Sequence, residues 1–495
     1  MPAAQDPHDV FPYPGFPYPQ THPNRLAVMG ILHGMSPAPV ESCRVLEIGC
    51  NQGANLIPMA CAIPGSEFVG FDAARVPIAR GQARIRELAL TNIRLFAADL
   101  LDIGSELGPF DYVIAHGFYA WVPEPVRDRL LALCGQLLAP HGIAFVSYNA
   151  MPGGHLRLML RDMMLSLAGG VEDLAQRESA ALSSLRWIAA ARPEGDVYRL
   201  LLEDQLQRME KRKPGGTYHD EMTAAYHPVY FRQFAEHAQQ HGLQYLSEAV
   251  LPPPTDPCYQ QETLSAVESQ AGDNLLQQEQ LLDFLRVRMY RETLLCRADL
   301  SLHRNFPPEC LQKLRFASQV APAPAEAPDS RVFQLPGGIK LESNHPAVVV
   351  MLEELARRWP VAMSLDELAP RLAATGFALD AAGAALLIRL AVSKMIDLRA
   401  WKAPLAETVP ERPRVSACAR QEARTLGYAT TLLHRTITPE DPKVRTLIEL
   451  LDGTRNRGDL LTAMKSAFPD APLSDLQEGI EMGLRSLHSA AILEA

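Results

Sequence analysis

One stretch of the 495-residue chain, residues 45–53 (VLEIGCNQG), limits the possible folds most, because a buried-strand pattern runs directly into a glycine turn. Residues 45–48 are apolar apart from Glu47, and residues 54–62 can begin a helix after the turn. Turn-forming residues stand at every second position: Gly49, Asn51 and Gly53. A strand, a turn and a helix N-terminus together bring backbone N–H groups against a ligand. The pattern predicts an α/β fold with a ligand at this turn, and its spacing differs from the G-x-G-x-x-G of dinucleotide-binding folds.

Charge and cysteine content limit the class of protein. The chain carries 47 basic and 57 acidic residues, a net charge of −10, whereas a partner of duplex nucleic acid usually needs a basic face. Its eight cysteines form no C-x-x-C pair, which argues against a zinc site and a disulfide framework. No signal-peptide pattern opens the chain, and no segment reaches membrane-spanning length. We therefore expect a soluble cytoplasmic protein with no membrane insertion, no metal and no nucleic-acid partner.

Between residues 44 and 149, apolar runs alternate with helical patterns. Helices are predicted over residues 77–90 and 126–138, whose apolar residues recur on one face. Strands are predicted at residues 45–48, 68–71, 93–97, 112–115 and 143–148. Strands that alternate with helices predict a parallel sheet with right-handed crossovers. In such sheets the ligand lies at the carboxyl ends of the strands.

The turn and the acid before it read E-x-G-x-N-x-G over residues 47–53. This resembles motif I of class I S-adenosylmethionine (SAM) methyltransferases, E-x-G-x-(G/N)-x-G, in which the turn wraps the methionine end of SAM. Asn51 stands where the family usually has a glycine, a mild departure, because asparagine tolerates left-handed backbone angles. The resemblance implies SAM as the cofactor and assigns four residues to its binding: Glu47, Gly49, Asn51 and Gly53.

An acid stands at the end of each of the first three predicted strands. Asp72 ends the second strand (VGFD), where a carboxylate can accept hydrogen bonds from both ribose hydroxyls. Asp99 follows the third strand, beside Leu100, and is placed to accept from an adenine amino group. With Glu47 this gives one acid per strand end, as in class I methyltransferases. Acids also suit the positive sulfonium and amino groups of SAM.

Longer stretches narrow the resemblance. They are PYPQTHPNRLA (17–27), GCNQGANLIPMA (49–60), AHGFYAWVP (115–123), SYNAMPGGHLRLMLRDMM (147–164) and residues 218–246. Together they resemble bacterial class I methyltransferases with a methyltransferase regulatory domain, a group that includes lysine methyltransferases of outer-membrane proteins. The resemblance runs to about Leu302 and weakens in the C-terminal third. The family usually has a tryptophan after Pro-Gly, whereas this chain has Gly154 there, followed by His155. We therefore expect a wall of the acceptor pocket to differ.

Residues 10–23 alternate proline with aromatic residues (VFPYPGFPYPQTHP). Aromatic side chains are costly to leave in water, and prolines lower the entropy of ordering, so we expect an extended arm packed on the first domain. The resemblance adds that the arm closes over the methionine end of SAM through Tyr13, Gln20, Thr21 and His22. Residues 24–33 then read as a helix, with Asn24 as its N-cap.

Candidates for the acceptor pocket follow the fourth and fifth strands: His116, Tyr119, Trp121, Tyr148 and Asn149. Aromatic faces can hold a methylated ammonium by cation–π attraction. Tyr148 or Asn149 is a candidate to orient an incoming nitrogen, and His116 to accept its proton. No N-P-P-Y motif follows the fourth strand, which disfavours methylation of DNA bases.

The remaining chain is predicted to be helical and then to repeat. Helical patterns cover residues 154–167 and 171–207, and a basic break at 211–216 precedes a helix at 228–241 and a strand at 243–251. That last pair either completes the class I sheet or belongs to a separate middle domain. Residues 320–328 (VAPAPAEAP) read as a linker. Beyond it, residues 345–355 align with 441–451 and residues 388–398 with 484–494, which indicates two tandem winged-helix-like units.

The sequence therefore predicts three regions: a class I methyltransferase domain with its arm (1–165), a mostly helical middle domain (166–320) and a C-terminal accessory domain (321–495). The predicted function is SAM-dependent methyl transfer to an acceptor nitrogen, with a protein lysine favoured by the resemblance. The alternatives are a small-molecule O- or N-methyltransferase and a SAM-binding sensor or scaffold. The expected partner is a protein substrate or a small molecule, and the family makes a homodimer through the middle region plausible.

Overall fold

A computed structural model describes residues 13, 15–211, 216–223, 225–251, 256–324 and 330–495. Three predictions extend beyond these residues. They concern positions 10–12 and 14 of the arm, 212–215 of the basic break and 325–328 of the linker.

The described chain is built around a seven-stranded sheet in the order β3-β2-β1-β4-β5-β7-β6. Strands β1 to β5 run parallel, which confirms the predicted sheet, and β7 lies antiparallel between β5 and β6. The strands are β1 (Arg44–Ile48), β2 (Glu67–Asp72), β3 (Ile93–Ala97), β4 (Phe110–Ala115), β5 (Leu138–Asn149), β6 (Leu243–Glu248) and β7 (Tyr290–Arg297). Strand β7 is absent from the sequence-based prediction.

Helices cover both faces of this sheet. The first four are α1 (Pro23–Leu32), α2 (Leu56–Ala62), α3 (Arg75–Glu87) and α4 (Glu124–Leu137). Apolar residues of α1, α2 and α3 share one buried cluster with the sheet, and those of α4 share the other. Short 3₁₀ turns lie at Pro19–Thr21, Val40–Ser42, Leu100–Asp102, Ser105–Leu107, Tyr119–Trp121 and Pro257–Tyr259.

The first helix begins one residue earlier than predicted, and Asn24 is not its N-cap. His22 is the N-cap, and its Nδ1 accepts the backbone N–H of Asn24 at 3.1 Å. Pro23 takes the first helical position, where its missing N–H costs nothing. The side chain of Asn24 is used elsewhere, because its Oδ1 accepts the backbone N–H groups of Ala400 and Trp401 at 2.9 and 3.1 Å.

Strands β6 and β7 decide between the two alternatives for the middle of the chain. Both pair within the central sheet, so they complete it, and the helices before them form an insertion after β5. The predicted boundary at residue 165 thus falls between strands of one sheet. The long pattern at 171–207 forms two helices, separated where Pro193 and Gly195 interrupt it. These helices and those that follow are α5 (Gly154–Ala168), α6 (Leu174–Ala190), α7 (Val197–Glu210), α8 (Gly216–Glu221), α9 (Phe231–Gln240), α10 (Gln261–Ala271), α11 (Leu275–Arg286) and α12 (Pro308–Gln312).

The C-terminal region contains two helical units. A proline-led helix (Pro346–Arg358) opens the helices of the first unit as predicted, whereas in the second unit the helix Ala417–Leu426 comes before the proline-led helix (Pro442–Leu450) and shares its buried cluster. Its strands are β8 (Arg315–Ala317), β9 (Ala321–Ala323), β10 (Arg331–Gln334), β11 (Lys340–Ser343), β12 (Met363–Ser364), β13 (Asp397–Arg399), β14 (Ala429–Thr430) and β15 (Thr436–Ile437). Its helices are α13 (Pro346–Arg358), α14 (Leu365–Ala373), α15 (Ala381–Val392), α16 (Ala417–Leu426), α17 (Pro442–Leu450), α18 (Arg457–Ala467) and α19 (Leu473–Ser489). In the first unit, β12 and β13 flank β8 in a small sheet. The predicted linker is partly a strand, because β9 pairs with β10.

The C-terminal region is packed on the methyltransferase sheet. The apolar cluster beneath α1, α2 and α3 continues into α13, α14 and α15. At the second unit, Arg84 of α3 forms a 2.7 Å ion pair with the buried Glu422 of α16. None of the described helices combines the length and the apolar composition needed to cross a membrane.

Candidate functional site

The glycine turn at the end of β1 adopts the backbone that its sequence predicts. Gly49, Asn51 and Gly53 have φ values of 72°, 50° and 72°, all in the left-handed region. A Cβ at Gly49 would lie 2.7 Å from the ring of Phe118, so this position has no room for a side chain. Because glycine and asparagine tolerate these angles, the turn forms without the strain that other residues would introduce.

Asp72 connects the turn to the end of β2. Its Oδ2 accepts the backbone N–H of Asn51 at 2.8 Å, and its Oδ1 accepts that of Ala74 at 2.9 Å. These two hydrogen bonds hold the half-buried carboxylate in place at the carboxyl edge of the sheet. Asp99 lies at the end of β3, is exposed, and caps the following 3₁₀ turn through Leu101, while Leu100 is buried.

Glu47 is a buried acid at the mouth of the turn. Its Oε1 accepts from Nδ2 of Asn55 at 2.9 Å, whereas its Oε2 is buried without a hydrogen-bond partner among the described residues. Burial raises the pKa of Glu47 to about 8, with a further contribution from Asp72, although the hydrogen bond from Asn55 opposes the rise. A buried carboxyl oxygen without a partner is costly, so the arrangement favours a positive or hydrogen-bond-donating ligand here.

Asn55 joins the turn to the arm and to the C-terminal region. Its Oδ1 accepts the backbone N–H of Tyr18 at 2.9 Å and lies 2.8 Å from Nε2 of His434. Its Nδ2 also donates to Oγ1 of Thr21 at 3.0 Å. His434 is buried and has a φ of 59°, and it belongs to the second C-terminal unit. One amide therefore contacts groups from three parts of the chain.

The structure places the predicted arm residues along this side of the sheet. Thr21 and His22 are buried, and the His22 ring lies 5.6 Å from that of Trp401 and 5.3 Å from that of His434. Burial lowers the pKa of His22 to about 3, so the imidazole is neutral. Gln20 donates to Oε1 of Glu292 at 2.7 Å. The Tyr13 ring packs edge-on against that of His219 at 5.6 Å.

His116, after β4, lies in an aromatic stack. Its ring centroid is 3.7 Å from that of Tyr18 and 5.9 Å from that of Phe145. Burial lowers the pKa of His116 to about 4, so the ring is neutral near pH 7. Nearby, Oγ of Ser147 accepts the backbone N–H of Gly117 and the hydroxyl of Tyr290, both at 2.7 Å.

The remaining acceptor candidates are divided between the two faces of β5. Asn149 shares a face with Ser147 by strand alternation, and its Oδ1 is buried with no partner in the described part of the chain. Tyr148 points to the other face, where its ring stacks on Phe234 at 4.1 Å. Tyr119 joins that aromatic cluster, with its ring 5.0 Å from Phe234. The structure thus does not bring Tyr119 and Tyr148 together with His116 and Asn149.

Trp121 belongs to a separate cluster of aromatic and cationic side chains. Its ring lies 4.9 Å from that of Tyr226, and the Arg157 guanidinium lies over it at 5.2 Å. Arg157 is also paired with the buried Glu221 of α8 at 2.9 Å. Helix α5, which carries Arg157, and helix α8 therefore pack next to the loop that follows β4.

Several residues at the site are missing from the sequence-based prediction: Tyr18, Asn55, Ser147, Tyr290 and His434. Asn55 and Tyr18 lie inside motifs that the sequence singles out, so a search for polar residues there would have found them. Tyr290 and His434 lie more than 100 residues from Ser147 and Asn55, the residues that they contact, and only the folded chain brings them to the site.

Three family models match separate parts of the chain. A model described as "Methyltransferase domain" matches residues 45–142, one described as "Predicted methyltransferase regulatory domain" matches residues 217–297, and one described as "PKMT, C-terminal winged helix domain" matches residues 411–483. The first includes the glycine turn and the three acids. The last includes His434.

Individual proteins extend the similarity. The uncharacterized protein RP789 of Rickettsia prowazekii is 32% identical over 65% of this chain, and this match spans 58% of its own length. The uncharacterized protein RP028 of the same organism is 32% identical over 47% of this chain and 94% of its own length. The structure of PKMT2 from Rickettsia typhi in complex with AdoHcy superimposes with a TM-score of 0.86 at 25% identity, over 97% of this chain and 100% of that one.

Proposed function

The chain belongs to the family of class I methyltransferases with a methyltransferase regulatory domain, and we propose that it transfers the methyl group of SAM to a protein lysine side chain. The observation that carries the proposal is the set of three acids at the ends of β1, β2 and β3, Glu47, Asp72 and Asp99, in a chain whose fold matches that of PKMT2 over nearly its whole length.

The residues at the turn fit SAM. Glu47 supplies a buried carboxyl oxygen that no group in the described part of the chain hydrogen-bonds, which suits the positive amino group of SAM. The backbone of the turn can approach the cofactor closely, because Gly49 and Gly53 carry no side chain. We assign the ribose hydroxyls to Asp72 and the adenine amino group to Asp99 beside Leu100, and the closing arm to Tyr13, Gln20, Thr21 and His22.

Bound SAM supplies an activated methyl group on a sulfonium and a sulfide leaving group. Transfer is an in-line displacement, so the main contributions of the protein are alignment of the acceptor and exclusion of water. The incoming amine must present a free lone pair, and burial near a cation favours loss of its proton. The half-buried arm, whose Tyr18 ring stacks on His116, shields this side of the site from water.

We assign the acceptor side of the site to Asn149 and His116. The buried Oδ1 of Asn149 is placed to accept a hydrogen bond from the incoming nitrogen and so to orient it. His116 is a neutral ring whose low pKa makes it a poor store for a proton, so we assign it the wall of the pocket. Trp121 remains a candidate for cation–π contact, whereas Tyr119 and Tyr148 are better suited to support the wall from the core.

The affinity for SAM is expected to rise with pH up to about 8. Below the raised pKa of Glu47 the carboxyl group is neutral in the free protein, and the cationic cofactor favours its ionised form, so binding releases a proton. The dissociation constant should fall about tenfold between roughly pH 6.5 and pH 8. Isothermal titration calorimetry in two buffers of different ionisation enthalpy measures the dissociation constant and the number of protons released on binding.

The Glu47→Gln variant is the comparison for this profile. It should bind SAM more weakly at pH 8 and lose most of the pH dependence, whereas Glu194→Gln, at an exposed acid, should leave both unchanged. A pH profile that Glu47→Gln leaves intact would assign the dependence to SAM itself and contradict the role given to Glu47.

The proposed reaction is tested by methyl-labelled SAM in a cell lysate supplied with the purified chain. Proteins and small molecules are then separated, and labelled proteins are digested to identify the modified residue. Asp72→Asn is the inactive comparison, and Asp470→Asn, at an exposed acid, is its matched control. Label on lysine in a protein band, absent with Asp72→Asn alone, supports the proposal. Label only in small molecules supports a metabolite methyltransferase, and SAM binding without any transfer supports a sensor.

Location and assembly complete the proposal. All eight cysteines are free, which fits the reducing cytoplasm.

We propose a homodimer through the insertion, because three large apolar side chains are exposed near the turn between α6 and α7: Trp187 at 69%, Val197 at 81% and Leu200 at 55%. Exposed apolar groups in one place are typical of an interface. Light scattering of the chain and of a Trp187→Asp variant should show a dimer and a monomer, and a monomeric wild-type chain would exclude this interface.

A further inference from the structure

Three metal-binding side chains meet between α4 and α9, away from the glycine turn. His237 and His241 are four positions apart and so lie on one face at the end of α9. Asp128 of α4 faces both of them. Its Oδ1 lies 3.2 Å from Nε2 of His237 and 2.8 Å from Nε2 of His241, and the three ligand atoms lie within 4.8 Å of one another.

The two distances from Asp128 are close to the edge lengths of a metal coordination shell. With metal–ligand bonds of about 2.0–2.1 Å, neighbouring ligand atoms are roughly 3.3 Å apart in a tetrahedron, and roughly 2.9 Å apart in an octahedron. The two distances from Asp128 are of this size. The donor set, two imidazole nitrogens and one carboxylate oxygen, is one that suits zinc and similar transition metals.

A second contact orients one of the ligands. The Nδ1 atom of His237 lies 2.8 Å from the hydroxyl of Tyr119. If Nδ1 carries the proton and donates it to Tyr119, the lone pair of Nε2 points at Asp128 and His241. Metal-ligating histidines usually have such an outer partner on the other ring nitrogen. Asp128 is 56% exposed, so the ion can enter from solvent, and water can complete the shell.

We propose that Asp128, His237 and His241 bind a divalent transition metal of the zinc class, and that the ion joins α9 to the methyltransferase sheet. Helix α9 lies within the residues that match the regulatory-domain model, whereas α4 lies within the methyltransferase match. The ion takes no part in methyl transfer. Its effect is structural, because Tyr119, held by His237, packs on Phe234 and thereby supports the strand end that carries Asn149.

The alternative is a metal-free cluster in which both imidazoles donate N–H groups to Asp128. Titration with metal ions alone distinguishes the metal site from this metal-free cluster. The purified full-length chain is stripped with a chelator and titrated with Co²⁺, whose visible absorption reports imidazole and carboxylate coordination, and then with Zn²⁺ in competition. We expect one ion per chain, loss of the cobalt bands on addition of zinc, and a melting temperature raised by zinc.

Two variants and one control define the site. Asp128→Asn and His241→Ala should each weaken Co²⁺ binding at least tenfold and abolish the zinc-dependent rise in melting temperature. His155→Ala, at an exposed histidine of α5, should change neither. Circular dichroism of the metal-free variants shows whether they fold. The proposal is overturned if cobalt gives no bands, or if folded Asp128→Asn and His241→Ala bind it as tightly as the wild-type chain.

Discussion

Replacing Asp72 with asparagine is expected to weaken SAM binding about 100-fold, the largest effect of any conservative change at the site. We assign two ribose hydroxyls to this carboxylate, and hydrogen bonds to a charged group contribute about 1.5–3 kcal/mol each, where 1.4 kcal/mol is tenfold in affinity. Asparagine keeps one acceptor oxygen for the two backbone N–H groups, of Asn51 and Ala74, that Asp72 now accepts, so loss of one turn hydrogen bond contributes to the effect. Isothermal titration calorimetry with SAM measures the change.

The control for this prediction is Asp470→Asn, an exposed position in the C-terminal region that should bind SAM like the wild-type chain. Melting temperatures of both variants distinguish loss of binding from loss of folding. A folded Asp72→Asn chain that binds SAM within about threefold of the wild-type value would contradict the ribose assignment, since such a small change leaves no room for a charge-assisted pair.

Replacing Asn55 with alanine should destabilise the turn more than any other single change there. It would leave Glu47, Thr21 and His434 buried without the amide that they now contact. Buried polar groups that lose a partner cost about 1–3 kcal/mol each, so local stability should fall by about 2–4 kcal/mol after partial rearrangement. Hydrogen exchange measured by mass spectrometry should show faster exchange of the amides in β1 and α2.

His434→Ala tests whether the C-terminal region acts on the cofactor site through Asn55. We expect SAM binding to weaken about tenfold, the effect of one hydrogen bond at the turn. When His434→Ala is added to Asn55→Ala, SAM affinity should not fall further, because both changes remove the same contact. His488→Ala, whose ring meets the carbonyl of Ala406 at 3.0 Å, is the matched control. Full additivity of His434→Ala and Asn55→Ala would show that the two residues act independently.

Much of the methyltransferase sheet is predictable because its signals are local. Strand Ile93–Ala97 has the predicted bounds, and the other parallel strands of the sheet differ from prediction mainly at their ends. Alternating apolar runs set these strands, and the left-handed turn follows from the residue types at Gly49, Asn51 and Gly53. The sequence does not mark strand β7, because this strand is antiparallel and comes after a long helical insertion, so it belongs to no βαβ pattern.

The proposed metal site shows the same limit of sequence-based prediction, because its residues come from distant parts of the chain. His237 and His241 are spaced so that one helix face presents both, yet this pair alone does not indicate an ion. Asp128 lies on another helix, 109 residues before His237, and the packing of α4 against α9 brings it within 3.2 Å. The expectation of no metal rests on cysteine spacing, which carries no information about a cluster of histidine and aspartate side chains, and the Co²⁺ titration tests it.

By itself, the sequence determined the α/β class, and its motifs identified the family and the cofactor by resemblance. It could do so because a strand, a turn and an acid at the end of each of the first three strands lie in short stretches of neighbouring residues. Only the tertiary structure decided which side chains share a site. It separated Tyr148 from Asn149 by the alternation of one strand, and it brought His434 to within 2.8 Å of Asn55 across 379 positions. Long-range contacts depend on how whole elements pack, and the free energy of that packing is not visible in any short stretch of sequence.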